Sequence, residues 1–176
     1  MNVLSSRLAI LEDAEALLVL ITSAYRGESS RSGWTTEADL VHGPRTTVEA
    51  IRGNLQDADS EMVLITRGAE IVGCVHTKRA SESTGYLGMF AVRPDLQGLG
   101  IGKKLMAEAE SYAAAAWNIL RMELGVIGGR DELIEFYERR GYRKTGVTMP
   151  FPYDDPSAGS PQLPSLHFVV LRKDLV

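Results

Sequence analysis

The stretch Val92-Arg93-Pro94-Asp95-Leu96-Gln97-Gly98-Leu99-Gly100-Ile101-Gly102-Lys103 decides how the rest of the chain is read. An apolar run, residues 86–92, precedes it and an Ala-rich helical pattern begins at about Ile101, so the order is strand, glycine loop, helix. Glycines at 98, 100 and 102 strip alternate side chains from a turn that opens a helix, leaving the N–H groups of the first turn approachable by an anion. The loop therefore implies a phosphate-bearing ligand. Two nucleotide-binding spacings fail. A dinucleotide fingerprint starting at Gly98 needs glycine where Lys103 stands, and a P-loop ending in Gly102-Lys103 needs glycine in place of Gln97 and a hydroxyl residue in place of Lys104.

Around this stretch, 176 residues with 44% hydrophobic and 24% charged content suffice for a well-buried core, and residues 1–176 read as a single domain. A net charge of -4 gives no basic footprint for nucleic acid or an anionic membrane, so neither is expected as a partner. Cys74 is the sole cysteine, which excludes an intramolecular disulfide and a thiolate metal cluster; its neighbours Val72 and Val75 predict a buried, inert thiol. His42, His76 and His167 show no ligand spacing, so no metal is expected. The N-terminal segment lacks a basic run, and Glu12, Asp13 and Glu15 interrupt its apolar patches. That argues against a signal peptide or spanning helix and for a cytoplasmic protein.

Working outward, residues 7–11 read as a first strand, and Asp13 stands as N-cap to a helix with Ala14, Leu17, Leu18, Ile21, Ala24 and Tyr25 on its apolar face. Residues 26–45 are polar and glycine-broken, a mobile loop or short helix able to cover a site. Thr46 and Glu49 form a capping box ahead of a second helix. Residues 61–67 and 71–79 predict a hairpin. Leu105, Ala109, Tyr112, Ala113 and Ala116 mark the buried stripe of the main helix, and residues 119–127 return as a strand in a parallel crossover. Asp131 caps a helix over 132–140 that Gly141 ends, residues 142–147 are extended, 149–165 read as a long surface loop, and 166–171 as the last strand.

The Gln-x-x-Gly-x-Gly pattern of Gln97, Gly100 and Gly102 resembles the pyrophosphate loop of the GNAT superfamily of N-acetyltransferases. A second stretch, Glu135-Phe136-Tyr137-Glu138-Arg139-Arg140-Gly141-Tyr142, is similar to the late signature of that family, an aromatic-Tyr-Glu helix ending in Gly-Phe/Tyr. With the strand Leu87-x-x-Phe90-x-Val92, the resemblance covers residues 71–147. It implies an α/β fold with a mixed, mostly antiparallel central sheet, a splayed parallel strand pair and flanking helices. It also implies acetyl-CoA as co-substrate, its pantetheine arm along the backbone of Phe90, Ala91 and Val92 and its pyrophosphate on the loop formed by Gln97, Gly98, Leu99, Gly100, Ile101, Gly102 and Lys103. Backbone groups opened by a splay need partners, which an amide-bearing ligand supplies. By the same resemblance Tyr137 protonates the departing thiolate, and a phenol of reference pKa about 10 holds its proton at neutral pH. One departure stands out: many members carry Asn seven residues before that tyrosine, where this chain has Arg130. Lys103 and Lys104 serve equally as phosphate contacts or as an exposed basic helix start.

Glu123, mid-strand beside the cofactor strand, is the first candidate for general base; an ion pair with Arg121 would make it structural, and a water chain is the other route for the proton. The leading expectation is direct acetyl transfer to a primary amine of a small molecule or peptide in a ternary complex. The alternative is a non-catalytic acyl-CoA-binding sensor, which would have no chemical use for Tyr137. Two segments, Glu28, Trp34, Glu37 and Asp39 early and Phe151, Tyr153, Asp154 and Asp155 late, are acidic and aromatic, which predicts a cationic acceptor. Monomer and homodimer both remain open.

Overall fold

In the computed structural model, which describes residues 3–176, the elements run β1 (Leu4–Leu8), α1 (Ala14–Tyr25), β2 (Val41–His42), α2 (Val48–Gln56), β3 (Ser60–Arg67), β4 (Glu70–Arg79), β5 (Thr84–Val92), α3 (Ile101–Trp117), β6 (Arg121–Ile127), α4 (Asp131–Glu138), β7 (Arg143–Pro150), β8 (Ser160–Pro161) and β9 (His167–Asp174). Seven strands form one sheet in the order β1-β3-β4-β5-β6-β9-β7, with β5 and β6 parallel and every other pair antiparallel. This is the mixed, mostly antiparallel sheet with flanking helices that the motifs imply.

The middle of strand β3, Met62-Val63-Leu64-Ile65, is continuously apolar because successive side chains enter opposite cores. Val63 and Ile65 join Leu105, Ala109 and Ala113 of α3 with Ile134 and Tyr137 of α4. Met62 and Leu64 join Leu17 and Ile21 of α1 with Ile51 of α2 and Cys74 of β4. Helices thus cover both faces, α3 and α4 on one, α1 and α2 on the other.

The parallel pair determines where a site can form. β5 pairs with β6 only from Thr84↔Arg121 to Leu87↔Leu124, yet β5 continues beside β4 to Val92 and β6 continues beside β9 to Ile127. Past Leu87 the two strands diverge. A register shift between Cys74 and His76, with Met89 at φ 42, marks a bulge that bends β5 away.

Several expectations are corrected. β1 lies three residues earlier than the apolar pattern suggested, because Asp13 accepts from Ile10 N at 2.9 Å and binds the Arg7 guanidinium, turning residues 11–13 into a 3-10 turn. The N-cap of α2 is Thr47, whose hydroxyl accepts from Ala50 N at 3.2 Å, not Thr46. Along α3, Leu105, Ala109 and Ala113 are buried, while Ala116 is exposed and Tyr112 packs edge-on against Trp117. Residues 149–165 are not a bare loop: β8 pairs with β2, and Phe151 enters a third core with Val41, Ile127 and Leu166. A two-residue strand carries no periodicity to read, so only the long-range pairing reveals it.

Candidate active site

Divergence of β5 from β6 leaves a backbone edge without a strand partner. Arg93 N donates to Val72 O at 2.9 Å across β4, so ladder alternation turns the backbone groups of Val92 toward the gap. Two side chains meet that edge: Gln97 Nε2 donates to Val92 O at 3.1 Å, and the Tyr25 hydroxyl donates to Phe90 O. Ala91 does not belong to this edge. It pairs with Cys74 and its side chain is buried on the α1 side, so its expected contact with a cofactor is not met by the geometry.

A cavity of about 380 Å³ lies in the gap, between the open edge of β5, the glycine loop and α4. Phe90, Val92, Gln97, Gly98, Gly100, Ile101, Gly102, Lys103 and Tyr137 all line it, as the motifs predict; Leu99 points to solvent at 69% exposure and does not. Gly98 and Gly100 both have φ +83, and a Cβ on either would meet nothing within 4 Å, so the loop is a left-handed backbone open on its outer side. Gly100 caps α3 without a side-chain bond, and the first intrahelical contact there is Lys104 N to Gly100 O at 3.1 Å. The N–H groups of Ile101, Gly102 and Lys103 therefore precede the helix's own ladder and, with the helix dipole, suit an anion. These features fit the pyrophosphate and amide arm of a CoA thioester.

Gln97 has a different role from the one its motif suggests. Its carbonyl accepts from Trp34 N at 2.9 Å and its amide donates to Thr35 Oγ1 at 2.9 Å as well as to Val92 O. A Cβ on Gly33 would lie 2.6 Å from Gln97 Oε1, so glycine is needed for this approach. Gln97 thus braces residues 33–35 against the loop.

Tyr137 is 6% exposed among Phe90, Phe136 and Tyr142, with ring centroids 6.1, 5.3 and 6.0 Å away. Burial, then the neighbouring Tyr25, pushes its pKa well above the ordinary phenol value, so it carries its proton firmly. Tyr25, raised likewise by burial, lines the cavity with Trp34, Thr35, Phe136, Arg139 and Arg140; of these the sequence reading named only Trp34, as part of the early acceptor segment. Phe136, Arg139 and Arg140 lay inside the recognised motif. Tyr25 gave no signal, since it looks like a helix packing residue, and Trp34 was expected beside the acceptor only as an aromatic residue of an aperiodic segment.

Glu123 lies outside the cavity lining. Its register partner on β9 is Arg172, whose Nε donates to Glu123 Oε1 at 2.8 Å; the ion pair considered with Arg121 is not made. Register also sets Glu123 beside Tyr86 across the last parallel pairs. Cys74 is fully buried and its thiol is pushed up to about 12 by desolvation, which leaves it inert. His76 is buried against Ser60 Oγ at 2.6 Å, and desolvation lowers its pKa to about 4.

Most of the acids expected to attract a cation are engaged elsewhere. Glu28 and Asp39 both bind Arg31 on the surface. Glu37, 7% exposed, sits between Arg26 at 3.2 Å, Arg130 at 3.3 Å and Arg45 at 4.0 Å. Asp155 accepts from Ser157 N at 2.9 Å, and the Tyr153 hydroxyl bridges Leu163 O and Leu166 N. Arg130, in place of the usual Asn, holds the carbonyls of Thr35 at 2.7 Å and Thr36 at 3.2 Å. Among the described residues no group of three or more His, Cys, Asp or Glu is placed to hold a metal, and no helix is long and apolar enough to cross a membrane.

The model of the acetyltransferase (GNAT) family matches residues 22–142. Comparison with curated proteins gives no match. Among solved structures, an N-acetyltransferase from Staphylococcus aureus superposes with a TM-score of 0.74 at 11% identity, covering 98% of this chain and 98% of that one. The ribosomal-protein alanine N-acetyltransferase of Escherichia coli gives 0.71 at 14%, covering 98% and 94%. The PaiA N-acetyltransferase of Thermoplasma acidophilum, solved with coenzyme A, gives 0.68 at 17%, covering 98% and 99%. At these identities the likeness concerns the fold.

Proposed function

The chain belongs to the acetyltransferase (GNAT) family and is an acyltransferase, and we propose that it moves an acetyl group from acetyl-CoA directly to a primary amine of a small molecule or peptide within a ternary complex. The observation that carries this reading is the open backbone edge of β5, lying in one cavity with the anion-ready start of α3 and the buried, protonated Tyr137. Bound acetyl-CoA would supply an acetyl group activated as a thioester. The first-turn N–H groups of α3 and Lys103 would hold its pyrophosphate, and the edge of Phe90 and Val92 would pair with its amide arm. An N–H donor on that edge stabilises the oxyanion formed on amine attack, an effect of about 3–4 kcal/mol per donor. As the C–S bond breaks, Tyr137 gives its phenolic proton to the thiolate. The amine's proton leaves by water toward Glu123, on the face of the sheet that Tyr86 shares. Direct transfer is supported by Cys74, which is too deeply buried and too firmly protonated to carry the acyl group.

Thiol release from acetyl-CoA against a panel of polyamines, amino acids, aminoglycosides and peptide N-termini tests the reading. Amine-dependent release is expected, falling by about 100-fold or more in Tyr137→Phe with acetyl-CoA affinity retained. In the same assay Glu123→Gln is expected to lower turnover only moderately, and no change would route the proton through water alone. Acetyl-CoA binding with no release in any amine would instead mark a non-catalytic acyl-CoA sensor.

A further inference from the structure

Three guanidinium groups surround the single carboxylate of Glu37, and they are not equivalent. Arg26 is 4% exposed and holds Glu37, Pro44 O at 3.0 Å and Ala158 O at 3.3 Å. Arg130 holds Glu37 and two carbonyls. Arg45 makes no hydrogen bond among the described residues: its Nε is buried without a partner and stays 4.0 Å from Glu37, while its side chain is two-thirds covered, at 32% exposure. A buried donor left unpaired is costly, and most such groups in folded proteins find a partner.

Arg45 lies outside the cavity lining, behind Tyr25, which is part of it. Its Cζ lies 5.3 Å from the centroid of the Tyr25 ring, and the Tyr25 hydroxyl reaches Phe90 O on the open edge. Its charge opposes the burial that raises the pKa of both Tyr25 and Tyr86, and Tyr86 sits one residue before the parallel pairing ends. The carboxylates near this mouth of the gap are committed, Glu37 to three arginines and Glu123 to Arg172. Three guanidinium groups thus face the one carboxylate of Glu37, and the charge there is positive.

We propose that the acceptor is an amino-acid-like amine, with a carboxylate a few bonds from its nitrogen, and that Arg45 binds this carboxylate at the mouth of the gap between β5 and β6. This rests on the acyl-transfer reading of the same cleft. A guanidinium presents parallel N–H donors that match a carboxylate in two-point fashion, which fixes orientation as well as charge. With the carboxylate on Arg45, one aromatic ring from the edge, the amine is held toward the thioester. The pyrophosphate end, at Lys103 and the glycine loop, is a separate part of the cleft.

The test compares α-amino acids, their primary amides and the decarboxylated amines by kcat/KM in wild type, Arg45→Ala and Arg45→Lys, with acetyl-CoA affinity measured alongside. Wild type is expected to favour the carboxylate-bearing member of each trio by at least about tenfold. Arg45→Ala is expected to bring that ratio near one, mainly through KM, with Arg45→Lys partly restoring it and acetyl-CoA affinity unaltered in both. Equal or better use of the decarboxylated amines by wild type overturns the inference, as does an unchanged ratio in Arg45→Ala or a loss of acetyl-CoA affinity there. Should no amine release CoA, the transferase reading fails, and Arg45 is judged by calorimetric titration of the same amino acids into CoA-saturated protein. Binding abolished by Arg45→Ala then sustains the carboxylate site; absence of binding to wild type removes it.

Discussion

Two aperiodic, glycine-bearing segments meet at this cleft, residues 26–45 and residues 93–103, and they handle polarity in opposite ways. The second leaves its backbone groups open: Gly98 and Gly100 adopt left-handed φ with empty space beyond them, and the start of α3 presents N–H groups without intrahelical partners. The first turns its polarity inward, with Arg26 and Glu37 buried together and Arg130 on the carbonyls of Thr35 and Thr36. One is open to a ligand and the other is locked by its own ion pairs. Gln97 joins them, so the locked segment holds the open one in place.

The strongest way to break this contrast is Glu37→Ala. Three arginines would lose their shared carboxylate, and removing one partner of a buried ion pair costs about 3–5 kcal/mol. A matching fall in the urea midpoint is expected; a loss below about 1 kcal/mol would mean that the segment is held by its packing alone. Next in size is Gly100→Val. A left-handed position costs an L-residue roughly 1–2 kcal/mol, and the new side chain would project into the space left for phosphate, so acetyl-CoA affinity should drop by about tenfold or more. Unchanged affinity in a folded variant would end the reading of the loop as an anion cradle. The smallest effect belongs to Gln97→Ala, which should lower stability by about 1 kcal/mol and acetyl-CoA affinity by no more than about threefold, since the side-chain amide is engaged with protein. A loss of affinity as large as that of Gly100→Val would make Gln97 a cofactor ligand rather than a brace.

Local signals explain what was legible in advance. The stripe Leu105, Ala109, Ala113, the continuous apolar run of β3 and the left-handed glycines are each written within about a dozen residues, where side-chain pattern and backbone freedom act directly. Tyr137 and the loop residues were singled out by the resemblance of two short motifs to a family's signatures, and Tyr137 and most of the loop line the cavity. Ala91 was assigned with its neighbours because strand residues alternate, and which neighbour faces the gap depends on the register with β4. The pairing of β2 with β8 joins residues about 120 apart and leaves no mark on either segment.

By itself, then, the sequence determined the strand–glycine loop–helix unit and the α/β class, because those depend on backbone conformation and on contacts close along the chain; Tyr137 stood out only through the resemblance of residues 135–142 to a family signature. Only the tertiary structure decided how Glu37 is paired. The acids at 28, 37 and 39 are plain in the sequence, but a carboxylate attracts a cation only while it is unpaired; Glu28 and Asp39 share the nearby Arg31, whereas Glu37 is also held by Arg130 from far along the chain. Arg130 reaches Glu37 across 93 positions, and with Arg26 and Arg45 it surrounds that one carboxylate with three guanidinium groups, which no local pattern in residues 26–45 announces.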